Sequence, residues 1–291
     1  MSVSHAAALI REGKLVAFPT ETVYGLGANA LDPAAVERIF QAKGRPRTSP
    51  LIVHVDGVAM ARALVTEWPD AAEKLAARYW PGPLTVVLPK QPQVPDIVTA
   101  GLPTVGIRMP AHPLALELIR AAGVPIAAPS ANRFTELSPT AAAHVPEALA
   151  DYVLDGGPAR VGIESTVLSL AGEATLLRPG VIPLPEIEAM IGPVRVASAT
   201  PPDGPHESPG MHARHYRPVT PLYLGAPPSS GRGAWLRLGR EMPADAREYA
   251  AVFYETLHRV DAEGFDWITV EPPPDTPEWA GVLDRLRRAA S

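Results

Sequence analysis

Hydrophobic positions along this chain change period many times, and the changes mark out alternating strands and helices. Residues 6–11 carry a helical pattern, and residues 15–18 read as a buried strand. Asp32-Pro33 sets a helix start, with a capping carboxylate and a proline at the first helical position. Val36, Ile39, Phe40 and Lys43 then follow at helical spacing. The apolar, β-branched run 51–55 predicts a strand, helical patterns follow at 59–65 and 71–79, and strands at 84–88 and 104–109. Next come a helix at 113–121, a short strand at 125–128, a helix start at 140–144, strands at 152–154, 165–170 and 174–178, and a helix at 184–191. Many short strands with intervening helices predict an α/β fold with a large, twisted, mixed sheet and flanking helices. No internal repeat is present, and the spacing is too irregular for a barrel of repeating units.

The pattern stops after Gly192. Residues 193–218 hold several prolines, few large apolar side chains and no periodicity, which predicts a linker. Beyond it, strands at 222–224, 234–238 and 267–270 and helices at 249–260 and 279–288 predict a small C-terminal α/β domain. The expected organisation is a first domain at 1–192, a linker at 193–218 and a second domain at 219–291. At about 70 residues the second unit is near the lower edge of independent stability. The 35 prolines in 291 residues, against a usual share of about 5%, punctuate a folded chain. There is no cysteine, which excludes disulfides, thiolate metal sites and a cysteine nucleophile. The net charge of −5 argues against a chain that lives on nucleic acid. No apolar run approaches the roughly 20 residues of a membrane span, and the N-terminus lacks the pattern of a secretion signal. A cytoplasmic protein with no membrane partner is expected.

Four segments place polar residues where a core would take apolar ones. In the first, residues 19–30, Gly25-Leu-Gly27 is similar to a dinucleotide fingerprint, but no helix opens directly after it and the acidic ribose ligand is missing. Two other readings stand beside it: a turn needing glycine, with Thr20 and Thr22 bonding its backbone, and a Thr22 that faces a cleft at the strand's end. In the second, Lys43, Arg45 and Arg47 crowd a helix end, either as a cap on the helix dipole closed by Gly44 or as a clamp for a polyphosphate. His54 inside the following strand is a core histidine or a ligand. In the third, Arg108 sits in an apolar strand, and once buried it needs an anion, for which a bidentate carboxylate is the natural partner. Ser130 and Asn132 follow a strand of small residues that lets backbone approach a ligand. In the fourth, Arg178 ends a strand before Pro179-Gly180. No phosphate-binding P-loop and no nucleophile elbow occur, and His112, His144, His206, His212 and His215 do not combine at metal-ligand spacing.

Taken in order, Pro19-Thr-Glu-Thr-Val-Tyr-Gly-Leu-Gly27, Lys43-Gly-Arg45, Ser49-Pro-Leu-Ile-Val-His54, Trp80-Pro-Gly-Pro-Leu-Thr85, Arg108-Met-Pro110, Ala128-Pro-Ser-Ala-Asn132 and Glu164-Ser-Thr166 closely resemble the YrdC/TsaC family of L-threonylcarbamoyladenylate synthases. Ser208-Pro-Gly-Met-His-Ala-Arg-His-Tyr-Arg-Pro218 resembles the linker of its longer, two-domain members, with a shortened second domain after it. The resemblance implies a YrdC-like fold and synthesis of threonylcarbamoyl-AMP and pyrophosphate from L-threonine, bicarbonate and ATP. A separate transferase complex would use the product to modify tRNA, and direct tRNA binding is expected to be weak. By resemblance, Thr22, His54, Arg108, the backbone of Ala128 and Ser165 hold threonine. Lys43, Arg45, Ser49, Thr104, Ser130, Asn132, Ser138 and Arg178 line the ATP site, with Lys43 and Arg45 the catalytic cations. Tyr216 closes over the nucleotide from the linker. Magnesium would arrive with ATP and take few protein ligands. The alternative of another class is an RNA-binding module of the same fold, with Arg45, Arg47 and Arg178 as its basic patch. An enzyme acting on carbamoyl phosphate fits less well, because that relative carries zinc-finger cysteines.

Overall fold

The computed structural model describes residues 2–197 and 216–290. Helix α1 (Val3–Arg11) is capped by Ser2 and buries Ala6, Ala7, Leu9 and Ile10. Helix α2 (Pro33–Lys43) starts and stops as the sequence predicts. The Asp32 carboxylate accepts from the Ala34 and Ala35 amides at 2.9 and 3.3 Å, and Gly44 ends the helix in the left-handed region at φ 62°. Helices α3 (Val58–Ala63), α4 (Asp70–Tyr79), α5 (Asp96–Thr99), α6 (Pro113–Ala122) and α7 (Leu184–Ile191) complete the first domain. Helix α5 has no counterpart in the predicted elements. The helix expected from Thr140 is a single 3₁₀ turn, Ala142–His144, because Pro146 disfavours helical backbone at the residue before it.

These helices flank a ten-stranded mixed sheet. Its strands are β1 (Val16–Phe18), β2 (Gly25–Asn29), β3 (Ile52–His54), β4 (Leu84–Pro89), β5 (Thr104–Arg108), β6 (Ile126–Ala127), β7 (Tyr152–Val153), β8 (Thr166–Ser169), β9 (Thr175–Arg178) and β10 (Arg195–Val196). They lie in the order β10-β9-β8-β4-β5-β3-β6-β2-β1-β7. The fold class expected from the alternating pattern is the one observed. Two details differ. Strand β10 lies inside the expected linker and pairs in parallel with β9. Gly25 to Asn29 is neither a dinucleotide loop nor a turn but strand β2, antiparallel to β1. Its glycines serve close packing, since a Cβ at Gly27 would lie 2.8 Å from both the Phe18 ring and Ile126 Cγ2.

Strand direction decides where chemistry can gather. β3 and β5 run parallel, with His54 directly opposite Arg108. β4 runs against β5, and β8 runs with β4, so β8 begins at the end where β5 finishes. β9 runs against β8 and finishes there too. Arg108, Ser165 and Arg178 therefore meet at one end of the sheet, although they are far apart along the chain.

The second domain is a parallel three-stranded sheet in the order β11-β13-β12, made of β11 (Leu222–Leu224), β12 (Gly233–Leu236) and β13 (Trp267–Val270). Helix α8 (Ala246–Ala262) is capped by Asp245, and α9 (Ala280–Ala289) closes the chain. Its aromatic core of Tyr249, Phe253, Tyr254 and Trp279 is continuous with Val23, Leu137 and Ile163 of the first domain. The small unit thus shares its core with the larger one. No helix among the described residues is long and apolar enough to cross a membrane.

The two domains touch backbone to backbone at Gly281. A Cβ there would lie 2.5 Å from the Gly180 carbonyl oxygen. Gly281→Ala should therefore destabilise the chain by about 1–3 kcal/mol through overpacking, despite the better helix propensity of alanine. Thermal unfolding checks this, and a raised Tm would show that α9 shifts away without cost.

Candidate active site

A single cavity collects most of the predicted site. Arg45 enters it from the loop after α2, His54 from the end of β3 and Arg108 from the end of β5. The β1–β2 connection contributes Thr20 and Thr22. Ala128 and Ser130 line it from the loop after β6, and Glu164 and Ser165 from the turn into β8. Arg178 and Tyr216 complete the wall. All five residues assigned to threonine by resemblance line this cavity, together with Arg45, Ser130, Arg178 and Tyr216 from the ATP set.

On one side lies Arg108, 3% exposed. Its Nε donates to the Gly82 carbonyl at 3.1 Å. The anion that its burial demands is Glu21, whose Oε1 is 2.7 Å from Nη2. The approach is off hydrogen-bond geometry for both atoms, so the contact is charge attraction, and neither atom is satisfied as donor or acceptor. The other Glu21 oxygen accepts from the Ala111 amide at 3.0 Å. The pair is a buried dipole with hydrogen-bonding capacity left over beside the cavity.

His54 adds a second orphan, because its Nδ1 is buried with no hydrogen-bond partner. Burial, and then the Arg108 charge, pull its pKa down to about 3, so the ring is neutral at physiological pH. Thr20 and Thr22 are joined hydroxyl to hydroxyl at 2.8 Å. Thr20 donates its single proton to the Val23 carbonyl at 2.7 Å, so Thr22 is the donor of that pair and keeps acceptor capacity for a ligand.

Arg178 couples this side to the other. Its Nη2 donates to the Ser165 carbonyl at 2.9 Å and to the Ser165 hydroxyl at 3.2 Å, and that hydroxyl is 2.8 Å from Thr85 Oγ1. Arg45 donates to the Pro50 carbonyl at 3.0 Å. Burial draws Arg45 down to about 10, with Tyr216 raising it and Arg178 lowering it further, so it stays charged at neutral pH. Tyr216 is buried with its backbone at φ 64°, in the left-handed region that costs a non-glycine residue of order 1–3 kcal/mol.

Five predicted residues stand outside the cavity lining. Lys43 Nζ donates to the Ser130 and Asn132 carbonyls and so holds the loop that carries Ser130. Burial, then the Arg45 charge, lowers its pKa well below the usual lysine value. The Asn132 amide donates to the Arg133 and Glu136 carbonyls at 2.7 and 3.0 Å. Ser138 donates to Glu164 at 2.6 Å. Ser49 is buried, with its carbonyl 3.5 Å from Arg45 Nε. Thr104 starts β5, at the opposite end from Arg108, and lines a separate small cavity with Thr85 and Val167. The remaining linker residues named by resemblance, up to His215, lie outside the described residues, as do His206 and His212. Glu21 carried no assigned role in the sequence reading, although its place between two threonines of the motif was visible. Arg47 is not part of a basic patch. It faces solvent and pairs with Glu37 at 2.6 Å, whereas Arg45 and Arg178 are buried in the cavity. No group of three or more His, Asp or Glu is placed to hold a metal among the described residues.

Fold and site together define an α/β protein with a cavity lined by Arg108 and His54 on one side and by the buried cations Arg45 and Arg178 on the other. The family model described as "Telomere recombination" (Sua5, YciO and YrdC) matches residues 8–180, and the one described as "Threonylcarbamoyl-AMP synthase, C-terminal domain" matches residues 182–291. The chain belongs to the Sua5/YrdC family. It is 43% identical to the threonylcarbamoyl-AMP synthase of Pyrococcus abyssi, over 98% of this chain and 93% of that protein. It is also 43% identical to the threonylcarbamoyl-AMP synthase of Bacillus subtilis, over 99% of this chain and 92% of that one. Among solved structures, P. abyssi Sua5 complexed with L-threonine superposes with a TM-score of 0.93 at 42% identity, covering 99% of this chain and 94% of that chain.

The neutral, buried His54 has a consequence for acid stability. Below a pH of about 6.5 the unfolded chain binds a proton at this ring, and the native chain does not until about pH 3. Stability is then full above about 6.5 and falls toward acid by up to about 1.4 kcal/mol per pH unit from this group. Urea unfolding at pH 7.5 and 5 should show a larger acid loss for wild type than for His54→Gln. Equal losses would mean that the ring is protonated in the native state without penalty.

Proposed function

We propose that this chain is an L-threonylcarbamoyladenylate synthase, joining L-threonine, bicarbonate and ATP into threonylcarbamoyl-AMP with release of pyrophosphate. The observation that carries the reading is the sharing of one cavity by Arg108 and His54 on one side and Arg45 and Arg178 on the other. The amino acid and the nucleotide are thereby brought edge to edge. The amine of threonine and bicarbonate give a carbamate with loss of water. A carbamate oxygen then attacks the α-phosphorus of ATP, and the bond to the β-phosphate oxygen breaks.

Arg108 receives the threonine carboxylate, for which its incompletely bonded Nη2 and the neighbouring Glu21 set the orientation. Neutral His54 and the acceptor of Thr22 read the threonine hydroxyl. Valine would leave those buried polar groups unpaired, so it is rejected more steeply than serine, which lacks only a methyl group. Arg45 and Arg178 stabilise charge on the phosphates as it builds during transfer, and Lys43 supports them by fixing the Ser130 loop. No covalent bond to the protein is needed, so positioning supplies the rest. Magnesium enters with the nucleotide. Glu164, which lines the cavity, and Glu21, which sits against Arg108, are each taken up by an arginine, which leaves the metal few protein ligands. The product is a reactive mixed anhydride, and a separate tRNA-modifying transferase is the natural consumer.

Pyrophosphate release from ATP should require threonine and bicarbonate together. Release that ignores either one would refute the reading. Arg108→Ala should raise the KM for threonine by about 100-fold or more, the loss of a buried charge-assisted pair, and leave that for ATP nearly unchanged. Arg108→Ala combined with Glu21→Gln removes the unpaired carboxylate and guards against a folding defect. Equal effects on both substrates would take Arg108 out of the threonine site.

A further inference from the structure

Glu164 is an awkward neighbour for a triphosphate. Its carboxylate is buried and lines the same cavity as Arg45 and Arg178. Burial alone would favour its neutral form, but the charges of Arg285 and Arg178 and the hydrogen bond from Ser138 hold it below the usual carboxylate range. A negative charge therefore sits in the wall of a pocket that receives an anion.

The cation that answers it comes from the other domain. Arg285, on α9, has no exposed surface. Its Nε donates to Glu164 Oε2 at 2.8 Å, and its Nη2 to the Glu164 carbonyl at 3.2 Å. Its Nη1 donates to the Pro179 carbonyl at 2.7 Å, one residue beyond Arg178. The guanidinium lies 5.5 Å from the centre of the Tyr216 ring, which also lines the cavity. Asp284, the other acid beside Arg285, is shared with Arg288 at 2.9 Å, so Glu164 keeps its counter-charge. Ser138 and Tyr254 donate to the remaining Glu164 positions. An interface that needed adhesion alone is better built from apolar side chains, because a buried ion pair is often no more stable than its hydrophobic replacement.

We propose that Arg285 is a positioning residue through which the small domain makes the pocket fit for ATP: it neutralises and fixes Glu164, so that this carboxylate does not oppose the phosphates bound by Arg45 and Arg178. The proposal rests on the nucleotide reading above.

The test is steady-state pyrophosphate release by the full chain, with ATP and threonine varied separately, for wild type, Arg285→Met, Arg285→Lys and the double variant Arg285→Met/Glu164→Gln. Arg285→Met should raise the KM for ATP about tenfold or more, the scale of one uncompensated charge at the site, with the KM for threonine within about twofold. Glu164→Gln in the same chain should restore much of the ATP affinity, because the opposing charge is gone. Arg285→Lys, which keeps the cation, should stay nearer wild type. A residue that merely glued the domains together would raise both KM values alike and would not be rescued by Glu164→Gln, and either result overturns the proposal. If Arg285→Met does not fold, the lysine variant and the double variant decide: both are expected to bind ATP nearly as wild type does, and an ATP defect in either one overturns the proposal. Wild type without threonine-dependent release overturns the functional reading and this inference together, whereas an active wild type with the wrong variant pattern overturns the inference alone.

Discussion

Guanidinium charge taken out of water is the constraint on which this structure turns. Arg45, Arg108, Arg178 and Arg285 are all buried among the described residues, and a charge in that position must be met by an anion or by oriented carbonyls. The fold meets each in a different way. Arg285 takes a carboxylate and two carbonyls. Arg178 takes the carbonyl and hydroxyl of one serine. Arg45 leans on backbone oxygens of the loop that follows it. Arg108 has a carboxylate close by but poorly aligned. Of the four, Arg108 alone has a buried guanidinium nitrogen with no hydrogen-bond partner among the described residues, and it lines the cavity.

The sheet makes this arrangement affordable by keeping the arginines on rigid elements. Arg108 and Arg178 end strands, and the directions of β5, β8 and β9 bring those ends together. Ser165 then belongs to both halves of the site, since it lines the cavity and anchors Arg178. The second domain joins the same network from outside, through Arg285 and through an aromatic core continuous with the first domain. At about 70 residues the unit is near the lower edge of independent stability, and its core extends into the first domain.

Much of the fold was legible from the chain. Asp32, Pro33 and Gly44 state the limits of α2 by capping chemistry that acts within a few residues. Periodicity found the strands that carry Arg108 and Arg178. It failed at β2, where glycines look like a loop until Phe18 and Ile126 are seen packed against them. It failed also at β10, two exposed residues whose only reason to be a strand is the neighbouring edge of β9. The motifs named the residues that line the cavity, but they also named Thr104, which the strand carries to the far end of the sheet, and Lys43, which lies outside the lining with its Nζ on the Ser130 and Asn132 carbonyls.

By itself, then, the sequence determined the local elements, the residue types at the site and the need for an anion near Arg108, because propensity, capping and the cost of a buried charge act through short range or composition. Only the tertiary structure decided that Glu21 is that anion, that Arg178 holds Ser165, and that Arg285 reaches Glu164 across the domain boundary. Those pairings join residues far apart along the chain, and strand order and domain docking, rather than spacing in the sequence, set which charges are left facing one another.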